Sequence, residues 1–259
     1  MNLIPLAFNT HREAIRDKIL YVILVFALLM ISLSILMSYI SLSEEEKIVM
    51  DMGLSSINIF GLLITIFVGT TLLHKEIERK TIYLLLPKPL RRTDFILGKY
   101  LGLCTTLFII TIAMSICFYL VYWYTTHKFD KVLDILPVSG QALLFIYVEL
   151  MLVTAIAIFF STFSSSVMSA IFTLGMYVIG HLTQDIVNFG KLFGNGIVEA
   201  LTKIIYYILP DLERLNLKNQ VMFGEKLATE SMMMSLGYGF LYTVVLLILS
   251  IIIFESREF

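Results

Sequence analysis

Residues 19–40 read ILYVILVFALLMISLSILMSYI, a run of 22 residues in which no side chain is charged. An α-helix rises about 1.5 Å per residue, so about 20 apolar residues cross the roughly 30 Å hydrocarbon core of a bilayer. A strand of a membrane barrel instead alternates polar and apolar side chains over about 10 residues. The stretch therefore predicts a membrane-spanning helix.

Five more runs of the same kind follow along the chain. The predicted spans are 19–40, 53–73, 101–124, 141–161, 167–187 and 232–254. We therefore expect an all-α integral membrane protein that forms a single domain over residues 1–259. Its six transmembrane helices would place both termini on the same side of the membrane.

The composition agrees with a membrane protein and excludes several other classes. Apolar residues make up 58% of the 259 residues and charged residues 15%, against about 25% charged in a typical soluble domain. An ordinary soluble enzyme and a disordered chain are therefore excluded. The net charge of -1 gives no reason to expect nucleic acid as a partner, and two cysteines are too few for a disulfide framework.

The distribution of basic residues predicts which side the termini occupy. Residues 1–18, the connection 74–100 and Arg257 carry more Lys and Arg near span ends than the opposite side does, where residues 44–51 are acidic. Basic residues near span ends favour the cytoplasmic side. We expect both termini in the cytoplasm, in the inner membrane of the cell.

The first 18 residues predict an amphipathic helix on the membrane surface. Ile4, Phe8, His11 and Ile15 fall on one helical face, and charged residues fall elsewhere. A simple basic topology anchor is the alternative interpretation.

Two connections are too long to be turns. Residues 74–100 read HKEIERKTIYLLLPKPLRRTDFILGKY, in which Pro87 and Pro89 separate two charged segments that we predict to be helical. This connection is either a rigid protrusion that contacts a protein partner or a basic anchor with two helical extensions. Residues 188–231 are too apolar for a free loop, and we expect short re-entrant or interfacial helices there on the extracytoplasmic side.

The sequence of residues 76–102 resembles the cytoplasmic signature of ABC-2 type transporter permeases. That pattern has an acidic start, a Thr, a Leu run, Pro, Arg and a final Gly-Lys. Residues 208–217 and 253–259 also resemble the permeases of nitrous-oxide-reductase maturation, the NosY-like branch. The stretch FFSTFSSS at 159–166 fits the short inner turn between spans four and five, and the four motifs occur in order along the chain. Lys80 departs from the pattern, because many members have Gly at that position.

The resemblance implies an ABC-2 exporter domain of the ABCG-like type V fold, with two subunits around a central path. It also implies two copies of an ABC ATPase, docked on a coupling helix within residues 74–100. The implied coupling residues are Glu76, Glu78, Arg79, Lys80, Thr81, Leu86, Pro87, Pro89, Arg92 and Lys99. Partners would be that ATPase, a second copy of this chain and the lipid bilayer, and the resemblance leaves a periplasmic accessory protein open.

The chain carries no motif for binding a nucleotide. A P-loop requires G-x-x-x-x-G-K-[ST], and the Gly-Lys pairs at 98–99 and 190–191 lack both the earlier Gly and the following Ser or Thr. We therefore expect no cofactor in this chain, with ATP and Mg in the partner ATPase. No metal-ligand spacing and no catalytic set of residues occurs, so the chain is not expected to be an enzyme.

A few polar side chains lie within the predicted spans, where burying a polar group in the membrane costs free energy. Asn58 and Glu149 lie inside spans, and His181, Gln184 and Asp185 lie near the extracytoplasmic end of span five. They are candidates for a transport path or gate. Structural polar contacts between helices are the alternative interpretation.

Three functional hypotheses differ in what the chain moves. The leading one is an exporter permease. The alternative is a membrane scaffold that transmits force to periplasmic partners without moving a solute. A membrane enzyme would require clustered His or acidic residues, which the sequence lacks. The cargo stays open: it is a lipid, a lipid-linked glycan, a peptide, or a sulfur- or copper-related species. The sequence also leaves open whether the two subunits form a homodimer or a heterodimer.

Overall fold

The computed structural model describes residues 3–40, 45–78, 92–192, 196–218, 220 and 229–256. Within these ranges the chain is helical and contains no strand. The α-helices are α1 (Leu3–Ile15), α2 (Lys18–Ile40), α3 (Glu45–Glu78), α4 (Arg92–Thr126), α5 (Phe129–Ser161), α6 (Ser166–Leu192), α7 (Gly196–Ile208) and α8 (Thr229–Ser256), with a short 3-10 turn at Glu213–Leu215.

Six of these helices are long and apolar enough to cross a membrane: α2, α3, α4, α5, α6 and α8. This confirms the predicted all-α architecture with six spans. Several helices extend well beyond the apolar runs, because a hydropathy window marks the lipid-crossing part while the hydrogen-bonded helix continues through charged residues. Thus α3 begins at Glu45, α4 at Arg92 and α5 at Phe129. Helix α5 continues through Pro137, which cannot donate a backbone hydrogen bond.

Helices α3 and α5 form the centre of the bundle. In each, 67% of the most apolar 18-residue stretch is buried, against 22% in α2 and in α6. Helix α5 packs against α3, α4, α6 and α8. Gly61 of α3 allows a close contact with α5, since a Cβ at this position would lie 2.6 Å from Leu150 Cδ1.

Helix α1 lies along α4. Its residues Leu6, Thr10 and Ala14 are buried, whereas Ile4 and Phe8 from the predicted apolar face are 80% and 56% exposed. Gly102 of α4 makes this close approach possible, because a Cβ there would lie 2.5 Å from the carbonyl oxygen of Ala7. The helix therefore has one face packed on the bundle and an apolar face left exposed, which suits a helix at a membrane surface.

The helix bundle has two ends, which we call proximal and distal. The proximal end holds α1, the end of α3, the start of α4 and the end of α8. The distal end holds the turn between α4 and α5, where His127 adopts a left-handed φ of 51°, together with α7 and the 3-10 turn. In the described part of the predicted long connection 188–231, the chain forms α7 and the 3-10 turn.

Leu212 and Leu215 anchor the 3-10 turn to the bundle. Both side chains are fully buried, and the backbone N–H of Leu212 donates to the carbonyl of Gly180 on α6 at 3.0 Å. The 3-10 turn also packs on α5 and α8. This anchoring brings the polar residues on either side of Leu212 onto the distal half of the membrane-spanning helices.

Candidate functional site

A buried carboxylate lies at the centre of the distal half. Glu149 of α5 is 0% exposed, and its oxygens accept hydrogen bonds from Asn58 Nδ2 of α3 and contact His181 Nε2 of α6, each at 2.9 Å. Removing a carboxylate from water is costly unless its oxygens find such partners. Three membrane-spanning helices are therefore joined through one side chain.

The imidazole of His181 lies between two carboxylates. Its Nδ1 is 3.0 Å from Glu213 Oε2 in the 3-10 turn, opposite the contact of Nε2 with Glu149. A neutral imidazole carries one N–H, so it can donate to only one of the two carboxylates. Both contacts are hydrogen bonds only if the cluster holds one additional proton, on His181 or on one of the carboxyl groups.

Tyr177 completes the hydrogen bonding of Asn58. Its hydroxyl donates to Asn58 Oδ1 at 2.9 Å, while Asn58 Nδ2 donates to Glu149. The ring of Tyr177 also packs edge-on against the imidazole of His181, with centroids 4.6 Å apart. We call Asn58, Glu149, Tyr177, His181 and Glu213 the distal polar cluster.

A second group of polar side chains surrounds Asp211, which is 2% exposed. Its carboxylate accepts from Arg214 Nε at 2.9 Å, and its backbone N–H donates to the hydroxyl of Tyr238 on α8 at 2.8 Å. Arg214 also donates to the hydroxyl of Tyr206 at 2.6 Å and lies over the ring of Tyr238, 5.1 Å from its centroid. The hydrogen bonds to Tyr206 and Asp211 raise the pKa of Arg214, whose guanidinium is in any case always protonated in proteins.

The candidates for a path or gate divide into three places. Asn58, Glu149 and His181 come together in the distal polar cluster. Gln184 lies apart from them and donates to Asp211 Oδ2 at 3.4 Å. Asp185 is exposed on α6, although it lies one helical turn from His181 in the sequence.

Sequence reasoning missed the partners that complete these groups, namely Tyr177, Asp211, Glu213, Arg214 and Tyr238. Three of them lie in the segment PDLERLNLKNQ, whose mixture of apolar and charged residues directly after Pro210 is the signal that could have identified them. Within the described residues, no group of three or more His, Cys, Asp or Glu side chains could hold a metal ion.

The proximal end holds the described part of the predicted coupling region. Residues Arg79, Lys80, Thr81, Leu86, Pro87 and Pro89 lie outside the described residues, and the side chains of Glu76 and Glu78 are likewise not described. Arg92 donates from Nη1 to the carbonyls of Phe254 and Glu255, at 3.1 and 2.7 Å, at the end of α8. The rings of Phe95 and Phe254 stack beside this contact, with centroids 5.5 Å apart.

Lys99 points into the protein. Its side chain is 1% exposed, and its ammonium group lies 3.4 Å from Glu13 Oε2 of α1. Between the same two helices, His11 Nδ1 of α1 contacts Thr106 Oγ1 of α4 at 2.9 Å. A side chain this buried cannot contact a partner protein directly, so Lys99 fixes α1 on α4.

The family model described as ABC-2 family transporter protein matches residues 5–259, nearly the whole chain. No curated protein matches the chain.

Proposed function

We propose that this chain, which belongs to the ABC-2 transporter family, is the permease subunit of an exporter in the cytoplasmic membrane. The observation that carries the proposal is the family match over residues 5–259, in a sequence that has no P-loop of its own. ATP is hydrolysed by a separate ATPase subunit, and two copies of the permease, or this chain and a related one, enclose the path.

The ATPase docks on the connection 74–100. Family members pair with ATPase subunits, and the motif resemblance falls on residues 76–102. Helix α3 reaches Glu78 and α4 begins at Arg92, so both helices extend to the end where a soluble partner would bind. The proposed contact residues are Glu76, Glu78, Arg79, Lys80, Thr81, Leu86, Pro87 and Pro89.

Arg92 and Lys99 take a different part in coupling. Arg92 bonds to the end of α8 and Lys99 to α1, so each links the connection to a neighbouring helix. They act as positioning residues, through which displacement of the connection moves α8 and α1.

The basic residues of the proximal end support a cytoplasmic location for both termini. The distal polar cluster then lies toward the extracytoplasmic side, where a periplasmic accessory protein would bind. The resemblance of residues 208–217 and 253–259 to NosY-like permeases suggests a maturation system as the setting of this transporter.

A force-transmitting scaffold is the second candidate, and one observation favours it. Glu149, Asn58 and His181 bond to one another inside one subunit, so in this conformation they do not present free polar groups to a path. An exporter that uses them must exchange these bonds during each cycle, whereas a scaffold leaves them intact.

Co-purification with a candidate ABC ATPase subunit tests the proposal. Glu78→Lys should reduce both ATPase association and the ATP turnover that the permease stimulates, because it reverses a charge in the proposed contact. Lys128→Glu, an equal reversal at an exposed residue of the distal end, is the matched control and should change neither. Unchanged association and turnover in the Glu78 variant would refute the docking assignment.

The exporter and the scaffold are separated by comparing cells that carry the intact complex with cells whose ATPase is inactive. An exporter predicts a compound that accumulates inside the inactive cells. A scaffold predicts no such compound and a loss of activity in a periplasmic protein.

A further inference from the structure

The imidazole of His181 joins two segments that differ in how deeply they are buried. Glu149 lies on the central helix α5 and contacts Nε2 at 2.9 Å, and its side chain is 0% exposed. Glu213 lies in the 3-10 turn and contacts Nδ1 at 3.0 Å, and its side chain is 37% exposed. One ring therefore links the interior of the bundle to the segment that follows Pro210.

These two contacts together require a bound proton. Carboxylates only accept hydrogen bonds, and a neutral imidazole has one N–H and one lone pair. With a neutral ring between two carboxylates, one contact would place a lone pair against a carboxylate oxygen at hydrogen-bond distance. An imidazolium, or a carboxyl group that keeps its proton, turns that contact into a hydrogen bond. The geometry of the three side chains therefore corresponds to a state that holds one additional proton.

The groups around the ring favour this proton. Among the described residues, the titratable groups that face His181 are Glu149 from α5, Glu213 from the 3-10 turn and Tyr177 from its own helix α6. Helix α3 contributes the neutral amide of Asn58, which donates to Glu149. Two carboxylates within hydrogen-bond distance stabilise a positive charge on the imidazole.

The neighbouring charged groups of the distal end have partners of their own. Arg214 donates to Asp211 and to the hydroxyl of Tyr206 on α7, and Tyr238 on α8 accepts from the backbone N–H of Asp211. Asp185 on α6 is exposed to solvent. The charge of the cluster therefore depends on the proton that its own three side chains share.

Loss of that proton should not affect the two contacts equally. A neutral imidazole keeps one N–H, and Glu149 would lose more without it, because water cannot replace a donor to a fully buried carboxylate. Water can replace the donor to Glu213, which is partly exposed. The contact between α6 and the 3-10 turn is therefore the one that breaks. Since the joined state binds more protons, the contact is present at low pH and is lost as the pH rises.

We propose that His181, Glu149 and Glu213 form a proton-binding site that fastens the 3-10 turn to α6 while the proton is bound. The proton leaves to water through the exposed parts of His181 and Glu213. The turn then loses this contact and keeps the anchoring by Leu212 and Leu215. The distal end thereby responds to the pH of the water that it contacts. This inference goes beyond the proposed transport function, and its test requires no ATPase.

Hydrogen exchange of the full-length chain in lipid nanodiscs tests the proposal. The amides of Leu215 and Asn216 donate to the carbonyls of Leu212 and Glu213 within the turn, so their protection reports how firmly the turn is held. The measured rates are corrected for the intrinsic pH dependence of amide exchange. Protection in the wild type should then fall about tenfold between about pH 5.5 and about pH 8.5, the range in which histidine ordinarily changes its charge.

Glu213→Gln isolates the contribution of the proton. A glutamine amide can accept from Nδ1–H through its oxygen or donate to a neutral Nδ1 through its nitrogen, so its contact with His181 needs no additional proton. Protection of the turn should become independent of pH. His127→Asn is the matched control, because it removes another histidine of the distal end and asparagine tolerates the left-handed backbone at that position. It should keep the wild-type pH response.

His181→Gln provides an independent variant, because it replaces the imidazole by a side chain that does not titrate. It should also remove the pH response. Wild-type protection that stays constant across this pH range would overturn the assignment, and so would a wild-type pH response in Glu213→Gln or His181→Gln. Loss of the response in His127→Asn would assign the proton to a different histidine and would overturn it as well.

Discussion

The Nε2 atom of His181 on α6 lies 2.9 Å from the Oε1 atom of Glu149 on α5. Glu149 is fully buried, whereas 19% of the His181 side chain is exposed. The pair therefore joins the interior of the bundle to its distal surface, where Glu213 contacts the other ring nitrogen. Removal of either side chain should therefore affect both the interior of the bundle and its distal surface.

Leucine at position 149 should destabilise the protein strongly. Glu149→Leu leaves the imidazole and the Asn58 amide without their shared acceptor, and breaking a buried pair costs about 3–5 kcal/mol. The double variant Glu149→Leu/His181→Leu should cost less than Glu149→Leu alone, because it removes both members of the pair. Unfolding in detergent, followed by circular dichroism, measures both free energies.

Asp185→Leu provides the control for that comparison. It also replaces a carboxylate by leucine near the distal end of the membrane-spanning helices, but at an exposed position, so the change should stay within about 0.5 kcal/mol. A double variant at least as unstable as Glu149→Leu would show that the pair does not carry the stability assigned to it.

Substitutions in the ion pair between Lys99 and Glu13 should have unequal effects. Glu13→Ala takes a carboxylate away from a buried ammonium and should cost about 1–3 kcal/mol. Lys99→Met should cost less, because an apolar side chain fills the buried space and Glu13 is 36% exposed to solvent. Thermal unfolding of the two variants gives the order, and a larger loss in Lys99→Met would contradict it.

Arg92 should hold the end of α8. Its guanidinium binds two carbonyls of the last turn of α8, and a cation at a helix C-terminus is also favoured by the helix dipole. In Arg92→Ala, hydrogen exchange of residues 250–256 should therefore become faster. Arg16→Ala removes the same charge from an exposed residue directly after α1 and should leave that exchange unchanged. Equal effects of the two variants would show that the stabilisation comes from the positive charge of this end of the bundle and not from the hydrogen bonds of Arg92.

The architecture was predictable because an uninterrupted apolar run reports directly on lipid contact. Ile19–Ile40 has no other plausible structure at this length, and the predicted six spans agree with the six long apolar helices. Helix ends were less predictable. Residues 45–52 and 129–140 are too polar for a hydropathy window, yet they continue the helices, where Glu46 pairs with Lys131 across α3 and α5.

The candidate site was only partly predictable. The free-energy cost of placing a polar side chain in the membrane makes such a residue stand out, but it does not identify the residue's partner. Asn58, Glu149 and His181 stood out for that reason, and they do meet. Glu213 did not stand out, because it lies in a connection where a charged residue is ordinary. Its contact with His181 depends on the burial of Leu212 and Leu215, a tertiary event that local sequence does not encode.

Asp211 should anchor the segment 206–217 on the distal end. Asp211→Asn keeps the shape of the side chain and the backbone bond to Tyr238, but removes the charge that faces Arg214. Hydrogen bonds to a charged group contribute about 1.5–3 kcal/mol, so exchange of the amides in 206–217 should accelerate about tenfold to a hundredfold. Tyr238→Phe, which removes a neutral acceptor, should have a smaller effect. Unchanged exchange in Asp211→Asn would mean that the burial of Leu212 and Leu215 alone holds the segment in place.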